Sequence, residues 1–145
     1  MDINFRGTMD KHEATQLLQR QQINPTRQRV GIAKILFERQ QHLSADELIN
    51  KIKEVQGKAS KATVYNTLNL FSEHGMLREI VLDGGKVYYD TNTSDHHHIY
   101  NVDTGQLWDV DNELAEEMKQ PSLPEGTQGI GIDVIYRVRQ TSTVL

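Results

Sequence analysis

The sequence predicts an α+β chain in two parts, and three observations predict it. Within the first 90 residues, capped helical stretches come before two short β-prone runs. A polar, turn-rich break (TNTSD, residues 91–95) then separates them from a second set of β-prone runs. The charge changes sign across the break: residues 1–89 carry 13 Lys and Arg against 10 Asp and Glu, whereas residues 90–145 carry 3 against 10. The expected organisation is a domain over residues 1–90, a hinge over 91–95 and a second domain over 96–145. The first part could face a polyanion and the second could hold cations, although chance asymmetry also accounts for such a split.

The elements can be justified in order. Residues 11–22 (KHEATQLLQRQQ) suit a short polar helix. Asn24 and Pro25 predict the next helix start, Asn as N-cap and Pro at the first helical position. Ile32, Ala33, Leu36 and Phe37 then form one apolar stripe at helical spacing. His42 falls in the following loop. Ser44-Ala45-Asp46-Glu47 has the pattern of a capping box, and the helix that it opens is expected to turn Leu48, Ile49, Ile52 and Val55 inward before Gly57 ends it. Ser60 caps a third core helix with Val64, Leu68 and Phe71 on one face and Gly75 as its C′ stop. The runs REIVL and KVYYD, joined through Asp83-Gly84-Gly85, predict a hairpin. Three helices followed by a two-stranded ribbon is the order of a winged helix-turn-helix, with the third core helix as reader and the ribbon as wing.

Beyond the break, HHIYNV and QLWDV flank Asp103-Thr104-Gly105, a second hairpin signal. Residues 111–120 suit a short helix and residues 121–126 a loop. Ile130, Ile132, Val134, Tyr136 and Val138 alternate with Gly131, Asp133, Ile135, Arg137 and Arg139, which predicts a strand with one strongly apolar face. A segment of about 50 residues makes a marginal core, so pairing with a second copy is physically attractive. The C-terminal part is thus expected to be a small α/β dimerisation domain.

Composition excludes several classes. The chain has 145 residues, 37% of them hydrophobic and 25% charged, and no cysteine. There is neither a disulfide framework, a thiolate zinc site, an iron–sulfur cluster nor a catalytic thiol. No apolar run approaches the ~18 residues of a membrane span, and the first residues show no apolar signal segment. The expectation is a cytoplasmic protein without a membrane partner. A net charge of −4 argues against a nucleic-acid coat protein but leaves room for a local basic face.

Such a face is offered by the third core helix. Lys61, Thr63, Tyr65, Asn66 and Asn69 lie off its apolar stripe. Lys58 and Lys61, with Arg27 and Arg29 from the earlier helix, suit phosphates. Tyr65 suits a thymine methyl, and Asn66 a base edge. The same pattern also fits an ordinary exposed helix face.

The acidic part opens on Asp95-His96-His97-His98. In an extended chain His96 and His98 share one face and His97 takes the other. Asp109 on the partner strand can approach the first two, Asp90 ends the wing just before the break, and His42 precedes the second core helix. Three imidazoles with two carboxylates suit Fe(II), Mn(II) or Zn(II). A surface histidine patch gives the same string, and local pattern alone does not join His42 to His96.

Several strings together resemble a known family. Pro25-Thr26-Arg27-Gln28-Arg29, His42-Leu43-Ser44-Ala45-Asp46, Ala62-Thr63-Val64-Tyr65-Asn66-Thr67-Leu68 and the His96–His98 run are similar to the ferric uptake regulator (Fur) superfamily, from about residue 12 to about residue 139. The resemblance implies a metal-responsive transcriptional regulator of the repressor kind, acting as a homodimer on double-stranded operator DNA with dyad symmetry. The peroxide regulator (PerR) branch has a His–Asp–His–His–Asp centre bridging its domains. Its positions fall here on His42, Asp90, His96, His98 and Asp109, with Fe(II) or Mn(II) as cofactor and Zn(II) as an in-vitro substitute. The iron response regulator (Irr) branch is also similar through TVYNTLN, DTNTSDHHH and the LPEG loop, and implies iron or haem control through histidine. A second metal or haem site would draw on Asp95, His97 and Glu116. One departure stands out: Asn101 and Thr104 occupy the positions of a CxxC pair that holds structural zinc in many members, so a four-cysteine zinc is excluded. Apolar burial by Trp108, Ile130, Ile132, Val134 and Tyr136 is expected to replace it. Two further classes compete: a non-haem iron enzyme with a two-His, one-carboxylate triad, and a metal-independent winged-helix interaction module.

Overall fold

A computed structural model describes residues 3, 7–58, 60–110 and 113–142, without the side chains of residues 114 and 115. It divides into two compact units, Met1–Thr93 and Ser94–Leu145.

The first unit contains α1 (Lys11–Arg20), α2 (Arg27–Phe37), β1 (His42–Ser44), α3 (Ala45–Gln56), α4 (Lys61–Glu73), β2 (Arg78–Val81) and β3 (Val87–Asp90), with a 3-10 turn at Asp83–Gly85 inside the hairpin. Each helix start is closed by a side-chain oxygen. Asp10, Thr26, Ser44 and Ser60 accept from the backbone N–H three residues on, as N-caps do. The cap of α2 is therefore Thr26 rather than Asn24, and Asn24 and Pro25 lie before the helix. Two ends are Schellman motifs. At α4, Met76 N–H donates to Phe71 C=O and Gly75 N–H to Ser72 C=O, with Gly75 left-handed at φ 71°. At α1, Ile23 N–H donates to Leu18 C=O and Gln22 N–H to Gln19 C=O, and a glutamine takes the left-handed position at φ 60°.

Leu18, Leu36, Phe37, Leu48, Leu68, Phe71 and Met76 are completely buried. Phe37 and Phe71 meet with ring centroids 5.7 Å apart. The expected stripes of α2 and α4 all face this core. Val55 does not: it is 70% exposed, because Leu48, Ile49 and Ile52 already fill the inward face of α3.

The wing is a three-stranded sheet, not a two-stranded ribbon. Its order is β1-β3-β2, with β3 antiparallel to both neighbours. The added strand is β1, so His42 lies in a strand and not in a loop, directly opposite Asp90.

The second unit contains β4 (His97–Asn101), β5 (Leu107–Val110), α5 (Glu113–Glu116) and β6 (Ile135–Val138). Its sheet has the order β5-β4-β6, with β5 antiparallel and β6 parallel to β4. The expected hairpin around Asp103-Thr104-Gly105 is present, and Gly105 takes a positive φ of 76°. Helix α5 is shorter than the predicted 111–120 stretch, whose first two positions lie outside the described residues. The expected 130–139 strand also shrinks to Ile135–Val138, since only this stretch finds ladder partners on β4. Ile130 is fully exposed, and Trp108, Ile132 and Tyr136 are 39%, 40% and 54% exposed. These side chains do not form a core within one chain. The interior of the sheet is instead built around Tyr100 and Leu107, with Asn101 and the three histidines also buried.

Candidate metal centre and nucleic-acid face

In the second unit, strand geometry assembles three donors. His96 immediately precedes β4 and His98 lies two positions on, so both present to one face. Their rings meet edge to face with centroids 4.5 Å apart. Asp109 stands opposite His98 across the β4–β5 ladder. Its Oδ1 is 3.5 Å from His96 Nε2 and 3.3 Å from His98 Nε2. Those distances are long for a strong N–H···O bond. They match the spacing of two donors sharing one ion: bonds of about 2.1 Å at tetrahedral or octahedral angles put donors about 3.0–3.4 Å apart. Both imidazoles are buried, and Asp109 is half exposed. The donor set is nitrogen, nitrogen and oxygen, which suits borderline divalent ions.

A backbone group orients one of these donors. Ser94 C=O lies 2.7 Å from His96 Nδ1. A carbonyl only accepts, so the proton of the neutral ring sits on Nδ1 and the lone pair on Nε2, the atom that faces Asp109. His97 takes the other face and behaves differently. Its Nδ1 accepts from Val134 N–H at 3.1 Å, tying the entry of β6 to β4. His97 lines a cleft of about 520 Å³ together with Asp95 and Glu116. To ligate through Nε2 there, His97 would have to exchange its ring proton and release Val134.

In the first unit, His42 and Asp90 are register partners at one end of β1 and β3, which places their side chains on one face. Asp90 is 1% exposed, and its Oδ1 accepts from Asn92 N–H at 2.9 Å.

The same unit carries the basic face. Lys61, Tyr65 and Asn66 are exposed on the first turns of α4, and Thr63 is half-buried. Arg29, Thr63 and Asn66 line one groove between α2 and α4. Lys58 and Thr63 line the next. Arg29 also donates to Asn24 C=O at 3.0 Å, so its guanidinium is held near the start of α2. Arg27 opens on a different groove, shared with Lys11 and Lys34. Sequence periodicity did not single out those two lysines, because they sit on different helices and become neighbours only through packing. Tyr89, buried on β3, has its phenol held above the ordinary value of 10.0 by burial first and then by Glu79 and Tyr65.

A winged helix-turn-helix followed by a small sheet bearing a His–His–Asp cluster defines the class: a DNA-binding domain joined to a domain with metal-binding potential. Comparison with known proteins agrees. Residues 20–137 match the ferric uptake regulator family, and the chain belongs to that family, whose members are transcription regulators and not enzymes. The chain is 32% identical to the ferric uptake regulation protein of Vibrio anguillarum over 81 residues, 55% of this chain and 54% of that one. It thus spans about half the length of that relative. It is 30% identical to the peroxide operon regulator of Bacillus subtilis over 108 residues, 74% of each chain. Among solved structures, the ferric uptake regulator of Pseudomonas aeruginosa with manganese superposes with a TM-score of 0.68 at 25% identity, covering 89% of this chain and 98% of that one. Among the described residues, no helix is long and apolar enough to cross a membrane.

Proposed function

We propose that this protein is a metal-dependent transcriptional regulator, a cytoplasmic homodimer that binds operator DNA with dyad symmetry, and that it senses peroxide through Fe(II) or Mn(II). The observation that carries the reading is the convergence of His96, His98 and Asp109 on one face of β4 and β5. His42 and Asp90 complete the proposed ligand set, giving three imidazoles and two carboxylates and no thiolate. Zn(II) fits the same donors in vitro.

The chain's own residues supply the switch. Ligands from two units favour the one arrangement of those units in which all of them reach the ion, and a ligand that binds one state better shifts the population toward it. In that arrangement the α4 helices of a dimer meet successive major-groove faces. Lys58, Lys61, Arg27 and Arg29 hold phosphates, while Thr63, Tyr65 and Asn66 meet base edges. Fe(II) held by these side chains would supply the electrons for reduction of hydrogen peroxide. His42 and His96 are the side chains on which an added oxygen atom would register, and an oxidised imidazole loses its place as a ligand.

Operator binding measured with and without Mn(II), and repeated with His96→Ala, tests the regulator. Binding that needs Mn(II) and fails in the variant is expected. Binding indifferent to both would leave a metal-independent interaction module. Mass spectrometry of the Fe(II) protein after peroxide treatment tests the signal. An unmodified His42 and His96 would remove the peroxide reading and favour iron or haem control of the Irr kind. Asp95, His97 and Glu116 form the proposed second metal or haem site, supported by their common cleft.

A further inference from the structure

Gln41 and Thr91 stand next to His42 and Asp90, and neither belongs to the ligand set or to the DNA face. Thr91 is 3% exposed. Its N–H donates to Gln41 C=O at 3.0 Å, and its Oγ1 accepts from Gln41 N–H at 3.0 Å. The same hydroxyl lies 3.2 Å from Gln41 C=O and 3.4 Å from Arg39 C=O, either of which can take its proton. These bonds carry the β1–β3 pairing one step past the His42–Asp90 pair. The Gln41 side chain reaches the other way. Its Nε2 donates to Ile35 C=O at 2.8 Å and to Leu36 C=O at 2.9 Å, two carbonyls in the last turn of α2 that the helix itself leaves unpaired. Lys51 of α3 donates to its Oε1 at 3.5 Å. The two residues beside the proposed ligands are thus locked to each other and to the end of a helix whose other end carries Arg27 and Arg29, about 16 Å away.

We propose that Gln41 and Thr91 are positioning residues for metal binding: they hold His42 and Asp90 at a fixed separation, so that a divalent cation meets a preorganised pair. The inference rests on reading His42 and Asp90 as ligands. Strand β1 has three residues, and a strand end that short frays unless something closes it. Ordering a frayed end on binding subtracts from affinity, whereas an end ordered in advance does not. The Thr91 hydroxyl closes the strand end, and the Gln41 amide anchors it to α2.

The test is calorimetric titration of Mn(II) into the 145-residue chain, with thermal unfolding in chelator run beside it. Thr91→Val keeps the shape and the Thr91 N–H bond but takes the acceptor from Gln41 N–H. It is expected to weaken Mn(II) binding about tenfold, the lower edge of what loss of an outer-shell partner costs. Thr91→Ser, which keeps the hydroxyl, is expected to restore it. Gln41→Met keeps every ligand and both backbone bonds, and weakens binding in the same direction. A Thr91→Val protein that unfolds earlier in chelator yet binds Mn(II) as the wild type does would reduce the clamp to scaffolding and overturn the proposal. If Thr91→Val does not fold, Gln41→Met decides by the same two outcomes. His42→Ala separates the underlying reading: Mn(II) affinity unchanged in that variant would show that His42 is not a ligand, whatever the clamp does.

Discussion

Substituting Asn101 by alanine should loosen the second unit, and the size of the effect follows from its bonds. Asn101 is 5% exposed at the end of β4. Its Oδ1 accepts from Asp103 N–H at 2.9 Å and from Thr104 N–H at 3.1 Å, and its Nδ2 donates to Gln140 Oε1 at 3.2 Å. Gln140 N–H in turn donates to Asp103 Oδ2 at 2.9 Å. One side chain therefore ties the β4–β5 turn to the chain leaving β6. Three bonds at about 0.5–1.5 kcal/mol each give roughly 2–4 kcal/mol. Asp103 and Thr104 are exposed, so water can reach the freed N–H groups and the lower end applies, about 2 kcal/mol. For a chain of this size that is a fall in Tm of about 4–8 °C. Calorimetry gives the midpoint, and amide exchange at Asp103 and Thr104 localises the change. Asn101→Asp keeps both acceptor bonds and should lose much less. An Asn101→Ala protein with an unmoved midpoint and unchanged exchange at both amides would refute the reasoning. The position matters because family resemblance puts a zinc-binding cysteine there: a hydrogen-bonded knot now links the segments around it.

Three other outcomes are expected. Gln22→Gly should stabilise the first unit by about 0.5–1 kcal/mol in urea unfolding, because a left-handed φ costs glutamine about 1–2 kcal/mol and costs glycine nothing, less the extra entropy glycine loses on folding. Tyr89→Phe should flatten the alkaline limb of stability. The folded phenol keeps its proton beyond pH 10.0, so its contribution is complete below that value and is lost as pH rises above it through the folded pKa; a urea midpoint that falls as steeply in the variant would assign the limb to other groups. Tyr136→Glu should weaken self-association in sedimentation equilibrium, since Tyr136 is 54% exposed on the edge strand β6 beside other open apolar side chains; an unshifted monomer–dimer equilibrium would place the contact elsewhere.

The helices and both hairpins were legible because their signals are local. Ser44, Ser60, Gly57 and Gly75 act within one turn of their own positions, and the stripes of α2 and α4 repeat at helical spacing. What escaped was set by distant partners. Strand β1 is three residues with no periodicity of its own, and it exists because β3 accepts it. The predicted strand at 130–139 had the right alternation, yet only Ile135–Val138 finds a ladder on β4. The candidate site was legible in the same proportion. His96 and His98 share a face by strand period, and hairpin register brings Asp109 to them. Nothing in the local string announced that Ser94 C=O would fix the His96 ring, or that Gln41 and Thr91 would close the strand end beside His42.

The parallel pairing of β6 with β4 sets an order of events for a growing chain. On one side β4 is joined to β5 by a tight turn, so that hairpin can close as soon as both strands exist. On the other side its partner arrives late: His97 and Val134, bonded to each other, are 37 positions apart. A contact so distant in sequence forms slowly, because a long loop must close first. Until it does, the strand that carries His98 offers an open edge to any neighbouring chain. The histidine cluster and the self-pairing hazard therefore share one strand, and a segment made well after it is the one that seals it.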